Sequence, residues 1–316
     1  MAAEGDQIVR FIYTGQEVIP DDATHVIVKY TTFVRARAFL GHPNIVEVIC
    51  RDEVETIESR AFCDCPSLRR VIMRGVKVVE RGAFNWCTAL QDVECGKLEI
   101  IGEVAFRQCD SLRSINLPST RIVEAEAFWG CNLISVKFGR KLESFRKYAF
   151  LGCRSLERIT IPLKDGLITE DNIFQGCDNL KHVDLVEGEV PETINALQLE
   201  EWRNDMNAAV NSINHFLPDV YPGIHHFMDD GDKTRAIRMW IRAVLRKIIG
   251  YQRWHQQVLE EEVAATLQLA LPRDIVMKNV LPFLELPSRT FEVRDHEGDR
   301  GEQYDSDNSE DEEDDE

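Results

Sequence analysis

One segment recurs seven times at a nearly fixed step, and this constrains the fold more than any other feature of the chain. It reads "AFLGHPNIVEVI" at Phe39, "AFCDCPSLRRVIM" at Phe62, "AFNWCTALQDVEC" at Phe84, "AFRQCDSLRSINL" at Phe106, "AFWGCNLISVKF" at Phe128, "AFLGCRSLERITI" at Phe150 and "IFQGCDNLKHVDL" at Phe174. The Phe-to-Phe steps are 23, 22, 22, 22, 22 and 24 residues. A period this short cannot hold a self-sufficient core. Each unit must bury its apolar face against its neighbours, which is the logic of a solenoid.

From the Leu onward each copy follows Leu-x-x-Val/Ile-x-apolar, as in Leu68, Val71, Met73 and Leu112, Ile115, Leu117. The last two alternate as in a strand. Seven such strands stacked in parallel about 4.8 Å apart predict one continuous apolar wall. A second apolar column, Ile57, Val79, Ile101, Val123 and Phe145, lies four residues before each Ala, and the Phe column fills the space between. Cys50 and Cys95 fall in the column otherwise filled by Met73, Leu117, Phe138, Ile161 and Leu185.

Six more Cys, at 65, 87, 109, 131, 153 and 177, share one slot, with His42 in the first copy. Stacked equivalents have parallel Cβ vectors about 4.8 Å apart, outside the roughly 3.5–4.5 Å of a disulfide. Cys63-x-Cys65 is the one closely spaced pair, and no Cys-x-x-Cys pairs supply four zinc ligands. Burial in an apolar column also works against a nucleophilic thiolate. The column is therefore read as a ladder of small buried thiols, each a compact hydrophobe with a weak S–H donor.

The Ala-Phe, Cys and Leu positions followed by Ile-x-Leu-Pro, clearest at Ile115 to Pro118 and Ile159 to Pro162, resemble the BspA-type leucine-rich repeat. "GKLEIIG", "PLKDG" and "TLQLALPRDIV" are similar to stretches in the intracellular set of such proteins expanded in diatoms. The slot that carries Asn in other leucine-rich repeats falls here on Val76, Leu98 and Thr120. The resemblance implies a binding module and no particular activity. On the alternation above, the outward side chains are Arg70 and Ile72, Asp92 and Glu94, Ser114 and Asn116, Ser135 and Lys137, Arg158 and Thr160, His182 and Asp184. This row is mixed in sign, with an acidic patch beside flanking cations, and is the candidate docking face for a protein or peptide.

The period changes after Val186. Leu199, Trp202, Met206, Val210, Ile213 and Phe216 mark one helix of about 25 residues. Ile237, Ile241, Val244, Ile248, Tyr251, His255 and Val258 mark a longer one from about Asp232 to Leu269. Matching stripes predict an antiparallel hairpin that caps or extends the solenoid. The second helix also carries Lys233, Arg235, Arg238, Arg242, Arg246, Lys247 and Arg253, and its Ile241, Leu245, Ile248 and Trp254 have the spacing of a calmodulin target. A helix cannot bury one face twice, so the packed hairpin is favoured over calmodulin. "LPRDIVMKNVLPFL", Leu271 to Leu284, resembles the start of an F-box, and "HHFMDDGD", His225 to Asp232, is metal-capable in composition but reads as a polar loop.

The net charge is −18, and residues 297–316 hold twelve acids against one Arg, −11 of that total, leaving −7 for the rest. So acidic a body disfavours nucleic acid and membrane surfaces. The absence of a signal-like or membrane-spanning stretch points to the cytosol or nucleus. No phosphate-binding, dinucleotide-binding, nucleophile-elbow or zinc-protease motif occurs.

The sequence therefore predicts an α+β chain. Residues 1–35 form an N-terminal β cap, 36–187 a solenoid of parallel stacked short strands, 188–286 an α-helical domain and 287–316 a disordered acidic tail. It predicts a non-enzymatic scaffold with no cofactor or metal, or alternatively a ubiquitin-ligase substrate adaptor acting through Leu271 to Leu284. Ser309, followed by Glu310, Asp311 and Glu312, is the expected phosphorylation site.

Overall fold

The computed structural model describes residues 8–186, 200–211 and 231–267. Two parallel ladders run the length of the first segment. The main ladder takes Arg10–Tyr13, His25–Val28, Glu47–Cys50, Arg70–Ile72 and Asp92–Glu94, then Ser114–Leu117, Ser135–Phe138, Arg158–Ile161 and His182–Leu185. The second is the predicted apolar column: Phe33–Val34, Thr56–Ile57, Val78–Val79, Ile100–Ile101, Ile122–Val123 and Ser144–Phe145, unbroken from end to end. The N-terminal strands do not cross the end of the stack. They continue the main ladder in parallel register, Phe11 against Val26 and Val26 against Val48. At this free edge the Glu17 carboxylate accepts the N–H groups of Thr14, Gly15 and Gln16, which removes donors from pairing with another strand.

The main ladder differs from the predicted continuous wall in one place. Asp92–Glu94 lies beside Ser114–Leu117 but is not paired with it. One turn earlier the Met73 N–H donates to the Glu94 carbonyl at 2.8 Å. At the interruption the equivalent carbonyl, that of Asn116, accepts from the Cys95 thiol at 3.5 Å instead. A side-chain donor has taken the acceptor that the backbone uses elsewhere, and the second ladder carries the stack across the gap.

Between the ladders Phe39, Phe62, Phe84, Phe106, Phe128, Phe150 and Phe174 form one column of rings, all at most 1 % exposed. Neighbouring centroids are 4.7 to 5.6 Å apart, and the planes are within 13° of parallel. The arch that carries each ring is tied to the next by its own amide: the N–H of Phe62, Phe84, Phe106 and Phe128 donates to the Ala carbonyl one turn on, each at 2.8 Å.

The recurrent Cys has a specific partner. The thiols of Cys65, Cys87, Cys109, Cys131, Cys153 and Cys177 donate to the carbonyls of Phe39, Phe62, Phe84, Phe106, Phe128 and Phe150, one turn back, at 2.9 to 3.3 Å. His42 continues the column, its Nε2–H reaching the Pro20 carbonyl at 3.0 Å. Ala would fill the slot without a donor, and Ser would bury a more strongly hydrated group. A thiol is small and apolar yet still carries a proton for the Phe carbonyl. All nine Cys are buried and unpaired, including Cys50, Cys63 and Cys95 outside the column. Thiol titration of the native protein should therefore find all nine slow, rather than only the six of the ladder. All nine should react after denaturation without reductant, and rapid native labelling of Cys109 or Cys131 would contradict the ladder.

Each arch also holds two residues with left-handed backbone. The position two before Phe is Arg37, Arg60, Gly82, Val104, Glu126, Tyr148 and Asn172 in successive turns, with φ between 50° and 62°. Val104, at 50°, is the β-branched exception. Glycine occupies this conformation without the Cβ penalty, as Gly82 does in the preceding turn. Val104→Gly is expected to stabilise the protein by about 0.5–1 kcal/mol in urea unfolding, the relief of strain exceeding the added freedom of the unfolded chain. An unchanged or lowered midpoint would show that the contacts of Val104 outweigh its strain.

The solenoid ends on two helices, α1 (Glu200–Asn211) and α2 (Gly231–Leu267). Trp202 packs on Tyr251 and Trp254, and Asp205 contacts Lys247 and Tyr251, so the pair is antiparallel. Ile237, Ile241, Val244, Leu245 and Ile248 are buried in the same core as the last repeat. No described helix is long and apolar enough to cross a membrane.

Candidate interaction face

Three basic residues of α2, Lys233, Arg238 and Arg242, serve the end of the solenoid. Among the described residues no arch follows the last turn, and α2 meets its backbone groups. Thr234 Oγ1 accepts the Phe174 N–H at 3.2 Å, and Lys233 Nζ donates to the Cys177 and Asp178 carbonyls at 2.6 and 2.9 Å. Arg238 donates to the Ile168 and Glu170 carbonyls and to Asp171, each at 2.8 Å. Arg242 lies 3.5 Å from Asp165. Three of the four calmodulin-like anchors, Ile241, Leu245 and Ile248, are at most 3 % exposed, and only Trp254 is open. Calmodulin would have to peel this helix from the core to reach them.

The outward face of the main ladder remains. Alternation places two side chains of each strand toward solvent, and register aligns them in two rows. One row is Arg10, His25, Glu47, Arg70 and Asp92, then Ser114, Ser135, Arg158 and His182. The other is Ile12, Ile27, Ile49, Ile72 and Glu94, then Asn116, Lys137, Thr160 and Asp184. All twelve residues singled out in the sequence lie on this face, none of them buried.

Charge along it is largely internally matched. Arg70 reaches Asp92 at 3.0 Å and Glu94 at 2.8 Å, with Glu47 at 3.8 Å. Arg74 also takes Glu94, at 2.7 Å, and Arg158 pairs with Asp184 at 2.7 Å. Hydrogen bonds from Arg74 and then Arg70 hold the Glu94 carboxyl below its ordinary range. The expected acidic patch at Asp92 and Glu94 is thus tied to two cations. Ser114, Asn116 and Lys137, just past the interruption, are exposed and form the polar centre of the face.

The sequence reading missed the N-terminal third of the face. Alignment on the Ala-Phe motif assigned Arg10–Tyr13 and His25–Val28 to a cap and passed over Ile12, Ile27 and Ile49. The signal was present in "FIY", "VIV", "VIC" and "VIM", the same Ile between two apolar residues in four successive turns.

Among the described residues no cluster of His, Cys, Asp and Glu could hold a metal ion. Most of the His225 to Asp232 stretch, the F-box-like Leu271 to Leu284 and Ser309 in the acidic tail lie outside the described residues.

The two ladders, the Phe column and the outward rows define a leucine-rich-repeat solenoid whose exposed sheet is its available surface. Residues 24–121 and 99–198 match the model of the BspA type leucine rich repeat region, in six copies. Together the two stretches cover more than half of the chain, and the protein belongs to this family. Solved structures with similarity include a leucine-rich repeat protein from Bacteroides ovatus, 24% identical over 56% of this chain and 42% of that one, TM-score 0.41. The T. pallidum leucine-rich repeat protein is 22% identical over 57% of this chain and 70% of that one, TM-score 0.37. The pneumococcal vaccine antigen PcpA is 16% identical over 52% and 51%, TM-score 0.36. The chain spans less than half the length of the Bacteroides ovatus protein. A search of curated proteins finds no match.

Proposed function

We propose that this protein is a non-enzymatic interaction scaffold of the cytosol or nucleus that holds a protein or peptide ligand against the outward face of its main ladder. The docking residues in this reading are Arg70, Ile72, Asp92, Glu94, Ser114, Asn116, Ser135, Lys137, Arg158, Thr160, His182 and Asp184. The observation that carries it is the division of labour within each strand. Inward residues build the core, while the outward ones stand in register along five strands and then four, and from Arg70 to Asp184 they change from turn to turn. Leucine-rich-repeat solenoids are typically binding modules, which supports the reading at the level of the fold.

The test is affinity purification of the full chain and of an Asn116→Arg, Lys137→Glu double variant from native cells. These exposed positions leave the core untouched, so both proteins should fold. The reading expects specific partners to be recovered by the wild type and lost from the variant. Identical partner sets for the two would refute docking on the Arg70 to Asp184 surface. Recovery of a Skp-type adaptor that disappears on Leu271→Ala would favour the ubiquitin-ligase adaptor instead.

A further inference from the structure

We infer that the isoleucine row at the N-terminal end of the face docks an acidic amphipathic helix of a partner protein. This inference rests on the scaffold reading and gives the ligand a chemistry. Ile12, Ile27, Ile49 and Ile72 are direct register partners on four adjacent parallel strands. At about 4.8 Å per strand they form a stripe about 14 Å long. Ile12 is 46% exposed, and the other three, packed side by side, are half-buried. The fold does not call for isoleucine here, because the same slot holds Glu94, Asn116, Lys137, Thr160 and Asp184 in later turns. A run of large apolar side chains in an outward slot that accepts polar ones elsewhere marks a contact surface.

One margin of the stripe carries a row of cations. Two residues beyond Ile27, Ile49 and Ile72 come Lys29, Arg51 and Arg74. Arg74 is paired with Glu94, whereas among the described residues no ion pair within 4 Å involves Lys29, which lies 4.7 Å from the Tyr30 ring, or the exposed Arg51, whose charge acts on Glu53 from farther away. The other margin is mixed, with Arg10 exposed and Glu47 between His25 and Arg70. The complement is an apolar stripe bordered by carboxylates.

Spacing selects its backbone. The stripe runs across the strands and repeats every ~4.8 Å. A helix laid along it returns the same face every ~5.4 Å and stays in step for about three turns. An extended segment returns its face every ~6.8 Å and falls out of step after one contact. An anionic bilayer also offers apolar and negative surface, but it would cover Glu47, Asp52, Glu53 and Glu55 together, whereas a helix can turn its carboxylates toward Lys29 and Arg51 and a neutral side chain toward Glu47.

The test titrates the full chain with three synthetic peptides of 14 residues. One has a Leu stripe with Glu flanks on an Ala-rich helix, one has Lys in place of Glu, and one has the acidic composition scrambled to abolish amphipathicity. Vesicles of phosphatidylserine and phosphatidylcholine are the fourth probe. The acidic helix should bind at least tenfold more tightly than either other peptide, more weakly at high salt. Ile49→Ser should reduce its affinity at least tenfold, and Arg51→Glu should shift preference toward the Lys peptide. Equal binding of acidic and basic helices, indifference to Ile49→Ser, no saturable binding, or preferential binding of the vesicles would each overturn the inference. If Asn116→Arg and Lys137→Glu abolish partner capture while Ile49→Ser changes nothing, the helix inference fails and the scaffold reading survives.

Discussion

Phe106→Ala is expected to cost about 3–5 kcal/mol, a large share of the ~5–15 kcal/mol that holds a typical domain together. The ring lies 5.3 Å from Phe84 and 5.4 Å from Phe128, nearly parallel to both, and has no measurable exposure. Truncation therefore opens a cavity with stacked aromatics above and below it. Neither neighbour can close it, because each arch is pinned by 2.8 Å amide bonds to the next turn and the Cys131 thiol holds the Phe106 carbonyl at 2.9 Å. The loss also falls on two interfaces at once, since a repeat is stabilised mainly by its neighbours. Phe106→Leu, which keeps most of the volume, should cost markedly less. Chemical denaturation of the three proteins, followed by far-ultraviolet circular dichroism, measures this. An Ala variant within about 1 kcal/mol of wild type would mean that the column can collapse, and the account of a rigid stack would be wrong.

The periodic part of this fold was legible because each repeat restates it. Val71, Ile115 and Ile159 identify the same inward slot three times over, and an error in any one copy is outvoted. What escaped the sequence is what does not recur. The interruption beside Cys95 depends on which donor reaches a single carbonyl, and Met73 one turn earlier gives no sign of it. The left-handed slot two before Phe holds Arg, Gly, Val, Glu, Tyr and Asn in different turns, so no residue type announces it. Backbone bonds between arches impose that conformation from outside, overriding local preference.

The candidate site was legible in part for the same reason. Alternation sorts inward from outward residues on every strand, which is why all twelve named positions face solvent. Pairing across strands is a tertiary fact, and it turned the acidic Asp92 and Glu94 into partners of Arg70 and Arg74. The isoleucine row was split because Ile12 and Ile27 precede the first Ala-Phe motif, which left Ile49 without visible partners before it. The cations of α2 show the opposite case: read along the helix they look like a ligand site, but in three dimensions Lys233 and Arg238 hold terminal carbonyls.

Alkaline pH should unfold the protein cooperatively, with five buried thiols as the cause. Burial pushes the Cys50 and Cys95 thiols up to about 12. Burial first, and then neighbouring thiols, hold Cys87, Cys109 and Cys153 well above the ordinary value. In the unfolded chain a Cys loses its proton near pH ~8.5. Below that pH both states are protonated, and these groups make stability independent of pH. Above it the unfolded state sheds protons that the folded state keeps, so stability falls as pH rises toward the folded values. Each such thiol removes about 1.4 kcal/mol per pH unit, so five together remove about 7 kcal/mol per unit. A stability of ~5–15 kcal/mol would be exhausted within one to two units, placing the transition at roughly pH 10. Circular dichroism and the S–H stretching band in Raman spectra, followed through the same titration, should change together. Loss of most of the S–H band near pH 9 with the fold intact would show that these five thiols ionise in place, against the burial that holds them protonated. Cys109→Ala removes one titrating group, so it should flatten the slope by about a fifth while lowering stability at neutral pH. A slope unchanged by that substitution would assign the alkaline transition to other groups.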